Sequence, residues 1–245
     1  MRTSNPALND KTFARGQVAA GEGVMTIEGT VNRTIILVGI LLVTATFAWG
    51  RAAVGDPLVG GLVMIGTIGG FVVALVTIFK QRWAPVTAPL YAALEGLALG
   101  GISALLNQQY AGIAMQAAAL TAGTLLCLLL AYRSGLIRAT ENFKLGVTAA
   151  TGAIAMLYLV SFALSFFGIQ MPLLHDSSPL GIGLSLFIVV IAALNLVLDF
   201  DFIEQGSEAG LPRYMEWYAG FGLMVTLVWL YLEILRLLVK LRSDD

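Results

Sequence analysis

The stretch WYAGFGLMVTLVWLYLEILRLLV, residues 217–239, decides the fold class of this chain. An α-helix needs about 20 apolar residues to cross the hydrocarbon core of a bilayer, and this run is long enough. One acid, Glu233, lies deep in its apolar part. Because an unpaired ionised acid at the bilayer centre costs at least about 2.5 kcal/mol, such a residue usually faces the protein interior. The stretch therefore predicts a membrane-spanning helix that carries a buried acid.

The composition of the whole chain indicates a polytopic membrane protein. Hydrophobic residues make up 58% of its 245 residues and charged residues only 12%, far from the averages of soluble domains. The single cysteine, Cys127, excludes an intramolecular disulfide and a thiolate metal cage. The sequence has no basic cluster for nucleic acid and no nucleotide-binding loop, nucleophile elbow or H-E-x-x-H motif. We therefore expect neither an enzyme nor a bound cofactor nor a nucleic-acid partner.

Seven apolar runs predict an all-α bundle of seven transmembrane helices. The joints between them are mostly short and rich in Gly, Pro, Asn, Asp or Ser, so successive helices should pack as antiparallel hairpins. Residues 1–33 are polar and are predicted to form a tail outside the membrane, which leaves 34–245 as the transmembrane domain. The predicted spans are residues 34–50, 58–79, 87–106, 113–132, 145–167, 180–203 and 217–239.

Basic residues in the loops predict the orientation. The N-terminal tail and the second and fourth loops carry lysine or arginine, whereas the third and fifth loops carry none. The positive-inside rule therefore places the N-terminus in the cytoplasm. Seven crossings would then send Lys240 and Arg242 outside, against the same rule. A half-inserted sixth or seventh segment would remove the conflict.

Small residues at a spacing of four predict close packing of helices. In a bilayer no hydrophobic effect separates helix from lipid, and such pairs let two backbones approach closely. The pairs are Gly66 with Gly70, Gly96 with Gly100, and Ala149 with Ala153.

Two more acids end the sixth run, and they point in different directions. Asp199 shares a helix face with Asn195, one turn earlier, whereas Asp201 projects about 200° away from Asp199. Asn195 and Asp199 therefore predict a polar stripe that faces the bundle interior. Asp201 lies nearer the helix end and is expected to meet headgroups or water.

Glu95 and Glu233 each have a structural as well as a functional interpretation. We expect Glu95, in the third run, to face the interior beside Thr87 or Tyr91, because a lipid-facing carboxyl would have no partner. Arg236 follows Glu233 at i+3, so the two can form an intrahelical ion pair. Alternatively, Arg236 extends toward the interface, as long basic side chains near helix ends do, and leaves Glu233 without an ionic partner on its own helix. We favour the second alternative.

Two short motifs carry a resemblance to a known family. LVLDFDFIE, residues 196–204, and LYLEILRLL, residues 230–238, resemble the last two helices of the Bax-inhibitor-like transmembrane proteins. Bacterial members of that family show Y-D-x-x-x-I on the sixth helix and L-Y-L-D-x-x-N-L-F on the seventh. The resemblance implies a seven-helix bundle in the bacterial inner membrane, with the last helix central and wrapped by three hairpins. It also implies a pH-sensitive calcium leak.

The resemblance further implies roles for individual residues. The family's acids on the last two helices form a hydrogen-bonded pair that senses protons and gates the path, and the matching positions are Asp199 and Glu233. The same two acids would bind calcium transiently. This chain departs from the pattern in having Glu for Asp on the last helix, and Arg236 where the family often has Asn. The other candidates for the ion path or for tuning the pair are Glu95, Asn195, Asp201, Arg236 and the basic residues Lys80 and Arg82.

The pairing sets a condition on the turn between the last two helices. If the sixth helix ends near Ala209 and the seventh begins at Pro212, Asp199 and Glu233 lie about 15 and 31 Å from that turn. Contact between them requires residues 211–217, or more, to lie outside the membrane as a cap. The aromatic and charged run PRYMEWY suits such an interfacial segment.

Two functions are compatible with these features. The first is a cation leak, since carboxylates are the oxygen ligands that calcium prefers, and two close carboxyls in low dielectric cannot both ionise cheaply. Protonated, the pair would hold two helices together; ionised, it would repel and admit a cation. The second is a non-transporting membrane protein that modulates a membrane protease or stress survival, with the polar tail as its functional part.

Overall fold

The described part of the chain is built of helices. The computed structural model describes residues 23–169, 171, 174 and 176–243. Within these residues seven helices are long and apolar enough to cross a membrane, which confirms the predicted all-α class and an integral membrane protein in contact with the bilayer. They are α1 Ile27–Ala53, α2 Leu58–Phe79, α3 Ala84–Gln109, α4 Ile113–Arg133, α5 Glu141–Ser165, α6 Pro179–Glu208 and α7 Met215–Arg242. A short 3-10 helix, Gln81–Trp83, precedes α3.

The first helix begins well before the apolar run that predicted it. Its start at Ile27 is fixed by Thr26, whose hydroxyl accepts a hydrogen bond from the Gly29 amide at 2.9 Å. Glu28 in the first turn adds a negative charge where the helix dipole is positive. Residues 27–33 are therefore helical rather than part of a tail, and residues 1–22 lie outside the described residues.

The last helix also begins earlier than its predicted span, which starts at residue 217. α6 ends at Glu208 and α7 starts at Met215, so most of PRYMEWY is helical or lies in the turn. Gly210, with φ of 63°, makes the left-handed turn that ends α6. Residues 215–217 therefore continue into α7 rather than forming a segment separate from it, and a position of residues 211–217 outside the membrane stays a prediction.

The chain divides into two compact units, and the first joins the early helices to the turn between α6 and α7. It comprises the described residues within 1–104 and 201–224. Its helices approach closely at glycines: a Cβ added at Gly66 would lie 2.6 Å from the Leu94 carbonyl oxygen, and one at Gly100 would lie 2.6 Å from the Ala45 Cα. The predicted small-residue packing is thus confirmed for α2 against α3 and for α3 against α1.

In the second unit, formed by the described residues within 105–200 and 225–245, an isoleucine cluster brings α5, α6 and α7 together. Ile154, Ile188 and Ile191 are buried against one another, and Tyr158 and Trp229 pack on them. This cluster places the Tyr158 hydroxyl beside α7. Ala149 and Ala153 on α5 are exposed, so their predicted packing role is wrong.

Candidate functional site

Glu233 is a buried carboxylate bound from two helices. Only 2% of the residue is exposed. The Tyr158 hydroxyl, on α5, donates to Glu233 Oε1 at 2.7 Å. The Trp229 indole, one turn earlier on α7, donates to the same oxygen at 3.2 Å. The acid in the deciding stretch therefore has an interior position with neutral donors, as a costly buried carboxylate needs.

Arg236 supplies the positive charge at this carboxylate. Its Nη1 lies 3.3 Å from Glu233 Oε2. The same nitrogen donates to the Tyr158 hydroxyl at 2.6 Å, and the guanidinium carbon lies 5.2 Å from the Tyr158 ring centroid. The Arg236 side chain is 42% exposed, against 3% for that of Glu233. The intrahelical ion pair is thus confirmed, and the favoured expectation that Arg236 extends away to the interface is wrong.

Asp199 and Asn195 form the predicted polar stripe, and each meets a different helix. Asn195 Nδ2 donates to Thr151 Oγ1 on α5 at 2.8 Å and to the Ile191 carbonyl of its own helix at 2.8 Å. Asp199 hydrogen-bonds the Thr226 side chain on α7. Its Oδ2 is buried and has no hydrogen-bond partner among the described residues. The stripe therefore faces neighbouring helices rather than lipid.

The structure does not bring Asp199 and Glu233 together. Thr226, the partner of Asp199, and Glu233 share one face of α7 but are seven residues apart, about 10 Å along the axis. The reason is the length of the two helices. Asp199 lies about 14 Å from the end of α6 at Glu208, whereas Glu233 lies about 27 Å from the start of α7 at Met215.

The hydrogen-bonded pair implied by the resemblance is therefore absent between these two described residues, and so is a calcium site shared between them. More generally, the described part of the chain contains no group of three or more His, Cys, Asp or Glu side chains that could hold a metal ion. The gating, pH-sensing and transient calcium-binding roles of Asp199 and Glu233 stay predictions, now for two separate positions.

Glu95 lies in the first unit, half-buried between helices. It hydrogen-bonds Tyr91, one turn earlier, which is 3% exposed and packs edge-on against Phe221 at 5.0 Å between ring centroids. A Cβ added at Gly70, on α2, would lie 2.9 Å from Glu95 Oε1. The expected neighbour Tyr91 is confirmed, whereas the Thr87 hydroxyl donates to the Trp83 carbonyl.

The remaining candidates are Asp201, Lys80 and Arg82, and among the described residues none of them lies in a cluster of acids that could hold a metal ion. Asp201 is half-buried and accepts a hydrogen bond from Gln205, one turn later on α6. Lys80 and Arg82 are exposed at the turn between α2 and α3, and neither forms an ion pair with an acid of the described ranges. Their roles in the ion path or in tuning the acid pair stay predictions.

Sequence reasoning missed two buried polar contacts, one to Glu233 and one made by a further acid, Glu216. Tyr158 is 75 positions from Glu233 in the chain. A buried tyrosine hydroxyl needs a hydrogen-bond partner, so a tyrosine in an apolar run indicates a nearby polar group. Glu216 is 3% exposed and accepts hydrogen bonds from Thr26, 190 positions away. Its place in an aromatic and charged run gave no sign that it would be buried.

The fold and these side chains define a class: a polytopic α-helical membrane protein with partnered acids inside its third, sixth and seventh spans. The family model described as Bax inhibitor 1 like matches residues 5–243, nearly the whole chain. The chain therefore belongs to the Bax inhibitor 1 like family, which confirms the resemblance carried by the two motifs. Comparisons with curated proteins and with solved structures gave no match.

Proposed function

We propose that this protein is a pH-sensitive cation leak of the bacterial inner membrane, with its N-terminus in the cytoplasm and calcium as the carried ion. The observation that carries the proposal is a buried carboxylate in a spanning helix whose ionic partner is 42% exposed. Arg236 lies about 9 Å before the end of α7 at Arg242. A guanidinium exposed at that depth needs water or headgroups around it. The pair of Glu233 and Arg236 thus connects a buried acid to a guanidinium that meets water or headgroups.

The two acids supply oxygen ligands at two levels of α7, Asp199 from α6 beside Thr226 and Glu233 from α7 itself. Asp199 Oδ2 is buried and unpartnered within the described part of the chain, and Thr226 stands beside Asp199. Glu233 follows on the same face of α7, about 10 Å further along. Carboxylate and hydroxyl oxygens suit calcium. Two positions at this spacing would let an ion pass from one acid to the other, in place of a single proton-sharing pair.

The pH dependence follows from the position of Asp199. An ionised carboxyl without a positively charged partner inside a span is costly, so its charge needs a proton or a cation. Protons and cations then compete for the same oxygen. We expect the flux to fall as the pH is lowered, because a protonated Asp199 no longer attracts the ion.

Calcium flux into vesicles tests the proposal. Purified protein is reconstituted around a calcium-sensitive dye, and the initial flux is measured across acidic and neutral pH. Asp199→Asn should remove most of the pH dependence, and Glu233→Gln should change it too. Asp201→Asn is the matched control, since Asp201 bonds Gln205 on its own helix. Folded wild-type protein that passes no calcium at any pH would contradict the proposal and favour the non-transporting membrane protein.

A further inference from the structure

The Glu233 carboxylate already holds a cation that belongs to the chain. Two neutral donors, Tyr158 and Trp229, occupy Oε1 at 2.7 and 3.2 Å. Arg236 Nη1 lies at Oε2, 3.3 Å away. Each oxygen of the acid therefore has a partner, and the only charged one in this part of the described structure is a guanidinium.

An incoming calcium ion needs the same oxygens. One carboxylate cannot neutralise both a guanidinium and a metal ion at contact distance, because the two positive charges repel strongly where the surroundings are apolar. Lys240, buried at 4% exposure one turn after Arg236, adds a further positive charge nearby, and Asp176 a negative one. The Glu233 carboxylate can therefore bind either the Arg236 guanidinium or a calcium ion, but not both at once.

The Arg236 guanidinium can leave the Glu233 carboxylate and return to it. The side chain is long and 42% exposed, so the guanidinium can move away from the carboxylate while its stem stays on α7. The Tyr158 hydroxyl, 2.6 Å from Arg236 Nη1, and the Tyr158 ring, 5.2 Å from the guanidinium carbon, hold it over the carboxylate. Tyr158 sets how firmly the guanidinium stays.

We propose that Arg236 is a tethered competitor for the cation at Glu233, and that Tyr158 is the residue that positions it. The inference rests on the proposed function, since the cation is the one that the leak carries. While the ion is scarce, the guanidinium occupies the carboxylate. As the ion concentration rises, the ion displaces the guanidinium. Arg236 therefore sets the calcium concentration at which the ion occupies Glu233.

Terbium luminescence in detergent measures this competition without any flux. Terbium seeks the same oxygen ligands as calcium, and the Trp229 indole beside Glu233 can sensitise its emission. Arg236→Gln should lower the half-saturating terbium concentration by about tenfold or more, which corresponds to about 1.4 kcal/mol of lost competition. Added calcium should reverse the signal. Glu233→Gln should remove the part of the signal that responds to Arg236→Gln, and Trp229→Phe should weaken the emission at this site, where Tyr158 remains as a second sensitiser.

Two further variants separate competition from packing. Arg236→Lys keeps the positive charge on a similar stem, so its half-saturating concentration should stay near that of the wild type. Tyr158→Phe removes the hydroxyl that holds the guanidinium, so it should shift the concentration in the same direction as Arg236→Gln, by a smaller factor. A half-saturating concentration unchanged in Arg236→Gln overturns the inference, as does an equal shift in Arg236→Lys. If Arg236→Gln does not fold, an unchanged value in Tyr158→Phe overturns it.

The terbium and flux measurements together test the competition at Glu233 separately from the calcium leak. A terbium shift in protein whose vesicles pass no calcium would leave the competition standing and reject the leak. Calcium flux without any terbium shift would reject the competition alone.

Discussion

Thr26 and Glu216 are 190 residues apart in the chain and are joined by two hydrogen bonds. The Thr26 amide and hydroxyl donate to Glu216 Oε1 at 3.2 and 3.1 Å. Arg33 and Arg213 place their Nε atoms 3.8 and 3.9 Å from Oε2. The start of α1 is thereby fixed to the first turn of α7 within the first unit.

Replacing Glu216 should destabilise this connection. Glu216→Gln removes the charge that faces two arginines, and hydrogen bonds to a charged group contribute about 1.5–3 kcal/mol. We expect a free energy of unfolding lower by about that amount, seen as a lower Tm in detergent. Glu28→Gln is the control, because Glu28 is an exposed acid in the first turn of the same α1. Equal losses in both variants would show that the buried contact is not the cause.

Glycine packing on α2 offers a prediction with a control on the same helix. Gly66→Ala would bring a Cβ to 2.6 Å from the Leu94 carbonyl oxygen, so a backbone must move. Overpacking of this kind costs about 1–3 kcal/mol. Gly60→Ala has nothing within 4 Å of its Cβ and should be neutral or slightly stabilising. Thermal unfolding of both variants checks the contrast, which would be absent if α2 and α3 did not pack at Gly66.

The hydrogen bond from Asn195 to Thr151 can be measured by a double-mutant cycle. The atoms are 2.8 Å apart and join α6 to α5. Side-chain hydrogen bonds between transmembrane helices average about 0.6 kcal/mol, with a maximum near 1.7. The variants Asn195→Ala and Thr151→Ala should therefore show a coupling free energy in this range. Additive losses would mean that the two residues do not interact.

Asp56, in the turn between α1 and α2, should make a pH-dependent contribution to the free energy of unfolding. The Leu58 amide donates to its Oδ1 at 2.9 Å, and Arg51 Nη1 lies 2.9 Å from its Oδ2. The Leu58 amide first, and Arg51 after it, hold the pKa of Asp56 below its usual value. A carboxyl with a lowered pKa stabilises the fold above its unfolded-state pKa, and this stabilisation is lost as the pH falls through the folded-state pKa. Asp56→Asn should therefore lower the Tm at neutral pH, and the difference from the wild type should vanish in acid.

A Tm difference for Asp56→Asn that persisted unchanged into acid would contradict that account. The matched variant is Arg51→Gln, which leaves the amide contact intact and should have the smaller effect at neutral pH.

The spans were predictable because hydrophobic length and turn residues determine them. Residues 58–79 coincide with α2, since Pro57 and Lys80 bound a continuous apolar run. The start of α1 was not predictable from hydropathy, because a membrane helix can continue beyond the hydrocarbon region, and a polar cap such as Thr26 then sets its end.

The interior orientation of the acids was also predictable, but their pairing was not. A helix fixes the angle between Asn195, Asp199 and Asp201, so the stripe could be derived from spacing. The depth of an acid on one helix relative to another depends on where the connecting turn lies. The short turn before Met215 separates Asp199 from Glu233 by about two turns of α7.

The segment before α1 also bears on how the protein is made. Met25 donates its amide to the Leu211 carbonyl at 2.7 Å, and the Arg213 amide donates to the Gly23 carbonyl at 2.9 Å. At about 5–20 residues per second, a ribosome reaches Leu211 roughly 10–40 seconds after Met25. Throughout that interval the first helix must be inserted and kept while its own beginning has none of these partners, so this end of the molecule is completed only after the turn between α6 and α7 has been synthesised.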